Sequence, residues 1–212
     1  MIRVGKCKVP PQSLLTTKGY DGEDVKRQLV ADQHGKCYIC ERSCVTDFEI
    51  EHNKSQKGCP ELIQEWTNLF FACRYCNGKK LDHFDDLLNP LAVDIEDEIK
   101  QELNFRDNKA CFTPIHRTPE HEATIKLLDR VFNGNGKVRK TKEERFFEYT
   151  LSVMNRFQSL VNAFLAERTE TSEKAVRDEL KIDREYLGFK YWIVKSNPVL
   201  TEIFAEDVVW NK

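Results

Sequence analysis

At 212 residues, 40% hydrophobic and 32% charged, the chain is too long for a lone zinc knuckle and can bury a sizeable core. Its 33 Lys and Arg nearly cancel 35 Asp and Glu, which excludes a protein that coats nucleic acid by bulk charge. The longest apolar run, 69–73, falls far short of the ~18 residues that suggest a membrane span. With no apolar centre of a secretory signal near Met1, the chain reads as cytoplasmic, with no membrane partner.

In chain order, 21–34 reads as a helix with acids in its first turn and Gly35 as its stop. It leads into Cys37-x-x-Cys40. Thr46, Phe48 and Ile50 then alternate with Asp47, Glu49 and Glu51, the period of a half-buried strand that ends at His52. Residues 53–60 are polar and contain Gly and Pro, hence loop, and a short apolar stretch at 62–66 leads to Asn68. Cys73-x-x-Cys76 opens a helix through Leu81.

Eight cysteines in a reducing compartment are better explained by metal or burial than by disulfides. A two-residue spacer aims both sulfurs of a pair at one cation, so Cys37, Cys40, Cys73 and Cys76 supply the four thiolates of a tetrahedral zinc site. Cys7, Cys44, Cys59 and Cys111 follow no pairing pattern and read as small buried or tolerated residues, Cys44 being the weaker alternative ligand. A thioredoxin-like role needs one such pair in a βαβ setting, which is not what stands here.

Past residue 81 an acidic stretch from Asp82 to Glu102 reads as the boundary between a metal module, 1–90 with its core at 36–81, and a helical region, 91–212. A helix from Thr118 runs to Phe132 and stops at the 133–136 Asn-Gly repeat. Thr141-x-x-Glu144 reads as a capping box for a longer helix with an aromatic stripe from Phe147 to Phe164. A third helix is expected from Ser172 to about Gly188, before a tail of mixed apolar character. The fold class is therefore α+β, mostly helical: a zinc-stabilised ββα module with a helical C-terminal region that docks a partner.

Between the knuckles lie Glu51-His52 and Asn68, and Asn77 follows the last cysteine. These types fit phosphodiester hydrolysis. A histidine near neutrality can take a proton from water. A hard divalent cation, magnesium or manganese, suits oxygen ligands such as Asn77 and Glu51. Zinc held by four cysteines has no open position and would be scaffold.

This set, Cys37-x-x-Cys40, Glu51-His52, Asn68-Leu69 and Cys73-x-x-Cys76-Asn77-x-x-Lys80, resembles the HNH, or ββα-metal, endonucleases. The resemblance implies His52 as base, Asn77 and Glu51 as ligands of the catalytic metal, and Asn68 as the residue that orients the loop carrying His52. It also implies Lys79 and Lys80 as phosphate contacts. The chain departs from the common pattern in Glu51 for Asp, Asn77 for a closing His, and the missing proline after His52.

Val9-Pro10, Cys37-Tyr38-Ile39-Cys40-Glu41, 48–52, 66–70 and the helical tail are further similar to the small HNH subunit, PtuB-like, of Septu-type bacterial anti-phage systems, also found attached to some retrons. That family implies an ABC/SMC-like ATPase partner, PtuA-like, and a nuclease held in check until infection. Residues 1–80 carry a net +3 and 81–212 a net −5, so neither half reads as an autonomous binder of DNA or RNA, and a partner would present the nucleic acid. The alternatives are a four-cysteine zinc module that binds nucleic acid or protein without cutting, and a free-standing restriction or homing nuclease. A zinc nucleobase deaminase fails for want of His-x-Glu and of Pro before the cysteine pair.

Overall fold

A computed structural model describes residues 1–210 except Lys18, Val45 and Lys137. Helix α1, Glu23–Asp32, carries Glu23 and Asp24 in its first turn. It stops where His34 and Gly35 turn left-handed, the Gly35 N–H bonding Val30 O at 2.8 Å. Strand β1, Phe48–His52, pairs antiparallel with β2, Leu69–Cys73, in the register Phe48↔Cys73 to His52↔Leu69. Helix α2, Arg74–Lys80, follows β2 without a linker, so β1, β2 and α2 form one ββα unit.

β2 was not placed by the sequence, because all five of its residues are buried and no alternation survives. Leu69 and Phe71 face a small cluster with Val25, Leu29 and Trp66. Phe70 and Ala72 face the main core. β1 alternates apolar Phe48 and Ile50 with acidic Glu49 and Glu51 and therefore shows its period.

The acidic stretch is not a solvated connector. Leu87, Leu88, Ile95 and Ile99 are buried in the main cluster. Short helix α3, Ile95–Glu98, leads into strand β3, Ile99–Asn104, which pairs antiparallel with β4, Lys109–Pro114. Helix α4, Pro119–Asn133, is capped by Thr118 and packs on β4. Gly134, at φ 83, ends it where a Cβ would stand 2.5 Å from Glu143 Oε2.

Helix α5, Thr141–Ala166, begins one residue away from the expected box: the Lys140 N–H donates to Glu143, not Glu144, at 2.7 Å. The helix expected to reach about Gly188 breaks off early as α6, Glu170–Glu179, and α7, Leu187–Lys195, begins only at that expected end; α8, Pro198–Phe204, follows. The break has a tertiary cause. Lys36, from the first knuckle, takes the carbonyls of Ile182 and Arg184, the latter at 2.8 Å, and Ser43 N–H takes Glu185 at 2.7 Å. Helix thus makes up about half of the chain rather than most of it, beside two small antiparallel sheets. The main cluster draws residues from both sides of position 90, Met1 and Phe70 alongside Phe132, Tyr186 and Trp210. No described helix is long and apolar enough to cross a membrane.

Candidate metal centre and hydrolytic site

The sulfurs of Cys37, Cys40, Cys73 and Cys76 lie within 4.8 Å of one another, all four residues buried, with Cys40 and Cys73 sulfurs 4.0 Å apart. A tetrahedron of thiolates ~2.3 Å from a central zinc has edges of ~3.8 Å, so the cluster fits the ion. Local geometry prepares it. Glu41 takes a left-handed φ of 62° to close the first knuckle, its N–H bonding Cys37 O at 2.8 Å. In the second, Cys73 Sγ accepts the Cys76 N–H at 3.4 Å and so caps α2. Four buried cysteines that could hold a zinc ion therefore pin the first knuckle to the junction of β2 and α2.

His52 ends β1 at 6% exposure, its ring edge-on to Tyr20. Nε2 lies 3.0 Å from the Ile63 carbonyl, which can only accept, so that nitrogen carries the proton. Nδ1 then holds the lone pair and accepts from the exposed Gln56 amide at 3.1 Å. Burial, aided by the Lys80 charge, holds the imidazole below the usual histidine range, against the pull of the Ile63 carbonyl.

Asn68 braces the loop that supplies these partners. Its Oδ1 accepts the Lys54 N–H at 2.8 Å, and its Nδ2 donates to Lys54 O at 3.0 Å and Leu62 O at 3.1 Å. Asp85 holds the same loop from outside through Ser55 N at 2.7 Å and Ser55 Oγ at 2.8 Å.

On the other face of β1 the pleat places Glu49 and Glu51 toward α2. Glu51, 4% exposed, has both oxygens engaged: Lys80 Nζ at 2.7 Å on Oε1, and the Tyr38 hydroxyl on Oε2. Burial pushes its carboxyl up despite the opposing Lys80 ammonium. As it stands, this carboxylate does not fit a magnesium ligand.

Lys80 is fully buried and also donates to His52 O at 3.0 Å; it ties strand to helix and does not reach a surface phosphate. Lys79 pairs with Glu143 and lies over the Tyr75 ring, so it too is committed inside the protein. Asn77 donates through Nδ2 to Glu49 Oε2 at 2.5 Å. Asn53 Oδ1 is buried without a hydrogen-bond partner, the kind of acceptor that calls for a water or an ion.

The structure thus brings Glu51, Lys80 and the His52 backbone together, and Asn77 with Glu49. It shows no contact between the His52 ring and Asn77 among the described residues. Sequence reasoning missed Glu49, Gln56 and Tyr38. For Glu49 a signal existed, since it precedes Glu51 by two and shares its face of the strand.

Over 84 residues the chain is 32% identical to the Septu protein PtuB of Bacillus thuringiensis. The chain is a partial relative of a Septu protein. The match covers 36% of this chain and 32% of PtuB, about a third of that protein's length. No family model and no solved structure matches.

Proposed function

We propose that the chain is a metal-dependent endonuclease of HNH type that hydrolyses phosphodiester bonds, of DNA first, in a Septu-type anti-phage defence complex with an ABC/SMC-like ATPase. The observation that carries this reading is the state of His52. One ring nitrogen is fixed as a donor by a backbone carbonyl, and the other keeps its lone pair under a displaceable glutamine amide. That is how a general base is held ready: neutral, oriented, and capped by a group that water can replace. Partial similarity to PtuB supports the defence setting.

In the proposed reaction His52 Nδ1 takes a proton from a water that has displaced Gln56, and the hydroxide attacks phosphorus in line with the leaving 3′ oxygen. The bond from phosphorus to the 3′ oxygen breaks, that oxygen takes a proton from solvent water, and the products are a 5′-phosphate and a 3′-hydroxyl. Asn68 holds the neighbouring Leu62 carbonyl, and the Ile63 carbonyl keeps Nε2 protonated before the step, which leaves Nδ1 as the nitrogen that takes the proton. A magnesium or manganese ion, when bound, supplies charge neutralisation at the phosphate and leaving oxygen. Glu49 and Asn77 would hold it.

A second reading, a zinc module that binds without cutting, is favoured by the closed Glu51–Lys80 pair. Plasmid cleavage with and without magnesium, by the chain copurified with its partner, separates the two. His52→Ala is expected to lower the rate about 10²–10⁴-fold while zinc content and folding persist. Wild-type rate should fall as pH drops through a midpoint below histidine's ordinary 6.5, because protonation removes the base. A zinc-replete His52→Ala protein that cuts like wild type ends the base assignment.

A further inference from the structure

Lys79 and Lys80 are both committed inside the protein, so the phosphate contacts of a nuclease must come from elsewhere. Beside the zinc cluster lies a groove of about 440 Å³ between the two knuckles and the first turns of α5. Arg42 follows Cys40 by two residues and Arg74 follows Cys73 directly; Lys142 and Arg145 approach from α5. Asp47 is the one acid among the lining residues. In a chain of net charge −2, four bases against one acid is a local excess that composition conceals.

The groove is built on rings. Tyr75 stacks on Phe146 at 4.5 Å between centroids, and its hydroxyl donates to Val131 O at 2.8 Å, which fixes the floor. Tyr149 forms a wall with the Arg42 guanidinium 5.0 Å from its centroid, leaving the cation planar and oriented. Arg74 is steered by Glu49 at 3.2 Å and Asp47 at 3.6 Å, yet its side chain stays 72% exposed. Lys142 and Arg145 are exposed and make no ion pair among the described residues.

The groove also leads to the site. One oxygen of Glu49 accepts from Arg74, on the groove, and the other from Asn77. A backbone lying on Arg42, Arg74, Lys142 and Arg145 would pass its next phosphate toward Asn77.

We propose that this groove binds the sugar–phosphate backbone of DNA, with those four bases as its cationic contacts; the proposal rests on the nuclease reading for its substrate. Its cationic heads address phosphate, and the choice of DNA comes with the nuclease reading. Binding is sequence-independent and strongly salt-dependent.

The test is a fluorescence-anisotropy titration of labelled duplex DNA with the full chain, without magnesium so that nothing is cut, across a range of salt. Lys142→Ala/Arg145→Ala is compared with Arg168→Ala/Lys174→Ala, which removes the same charge beyond the far end of a helix ~39 Å long. The groove pair is expected to weaken binding equally for unrelated sequences and to lower the log–log salt slope by about 1 per base removed. The distal pair should change neither. Equal effects from the two pairs, or no binding by wild type even at low ionic strength, overturn the proposal. So does binding of an RNA duplex that DNA cannot compete away. Binding that depends on the groove in a protein that cuts nothing with magnesium keeps the groove and removes the nuclease.

Discussion

Among the described residues stand two antiparallel hairpins, β1–β2 and β3–β4, with strands of five and six residues. The second closes within 105–108, and its turn is satisfied locally, Asn104 accepting the Asp107 N–H at 3.0 Å and donating to Asp107 Oδ2 at 2.8 Å. The first spans 53–68 between its strands, too long for turn chemistry to hold. Asn68, Asp85 and Lys80 hold it instead, each through bonds to backbone or side chains on the loop or at its root. Buried polar groups of this kind cost free energy, so their concentration at one hairpin marks where the chain fixes a geometry that folding alone does not require.

The largest difference between the hairpins should appear on removing a thiolate. Zinc contributes an apparent ~10–16 kcal/mol to small zinc domains. Cys37→Ser or Cys76→Ser is therefore expected to lose the metal and the cooperative folding of the ββα unit. Cys111→Ser, on β4 and outside the cluster, should change stability by less than about 1 kcal/mol. Metal content per chain and thermal unfolding measure both, and equal losses would mean that the thiolates of the first hairpin are ordinary core residues.

A smaller effect separates charge from packing at the root of the first hairpin. Lys80→Met leaves Glu51 buried without its cation, at a cost of about 3–5 kcal/mol. Adding Glu51→Gln removes the stranded charge and should recover most of that loss, while Tyr38 keeps an acceptor. Urea unfolding of the two variants decides. A double variant no better than the single one would make Lys80 a packing residue.

How far these features could be read from the sequence depended on whether the signal was local. The thiolate spacing, the alternation along β1, the stop at Gly35 and the Thr118 cap are set by neighbours in the chain, and they stand where the residues put them. β2 was hidden because both its faces are buried. β3 was hidden because Gln101 fills a core position on it, bonding Met1 O and accepting from the Met1 amine at 2.7 Å, so the apolar alternation fails. The α6–α7 break and the burial of Lys80 arise from contacts about 146 and 28 residues away in sequence. For the site, the polar residues were legible as a set. Which carboxylate faces Asn77 was not, because it is decided by a lysine that folds inward.

The finest comparison sets the two loop asparagines against each other. Asn68→Ala strands the Lys54 N–H and two carbonyls around what is now a buried side chain, and an unmet buried group costs about 1–3 kcal/mol. Asn104→Ala removes bonds that water can replace, so a change within about 0.5 kcal/mol is expected. Hydrogen exchange at the amides of 53–63 reads the distinction directly: it should quicken for Asn68→Ala and stay unchanged for Asn104→Ala. Asn68→Asp sharpens it further, because a carboxylate still accepts from Lys54 but faces the carbonyls of Lys54 and Leu62 with no proton to give. If it protects the loop as well as Asn does, the donor half of Asn68 has no part in holding Ile63 against His52, and the imidazole must owe its orientation to Tyr20 and Gln56.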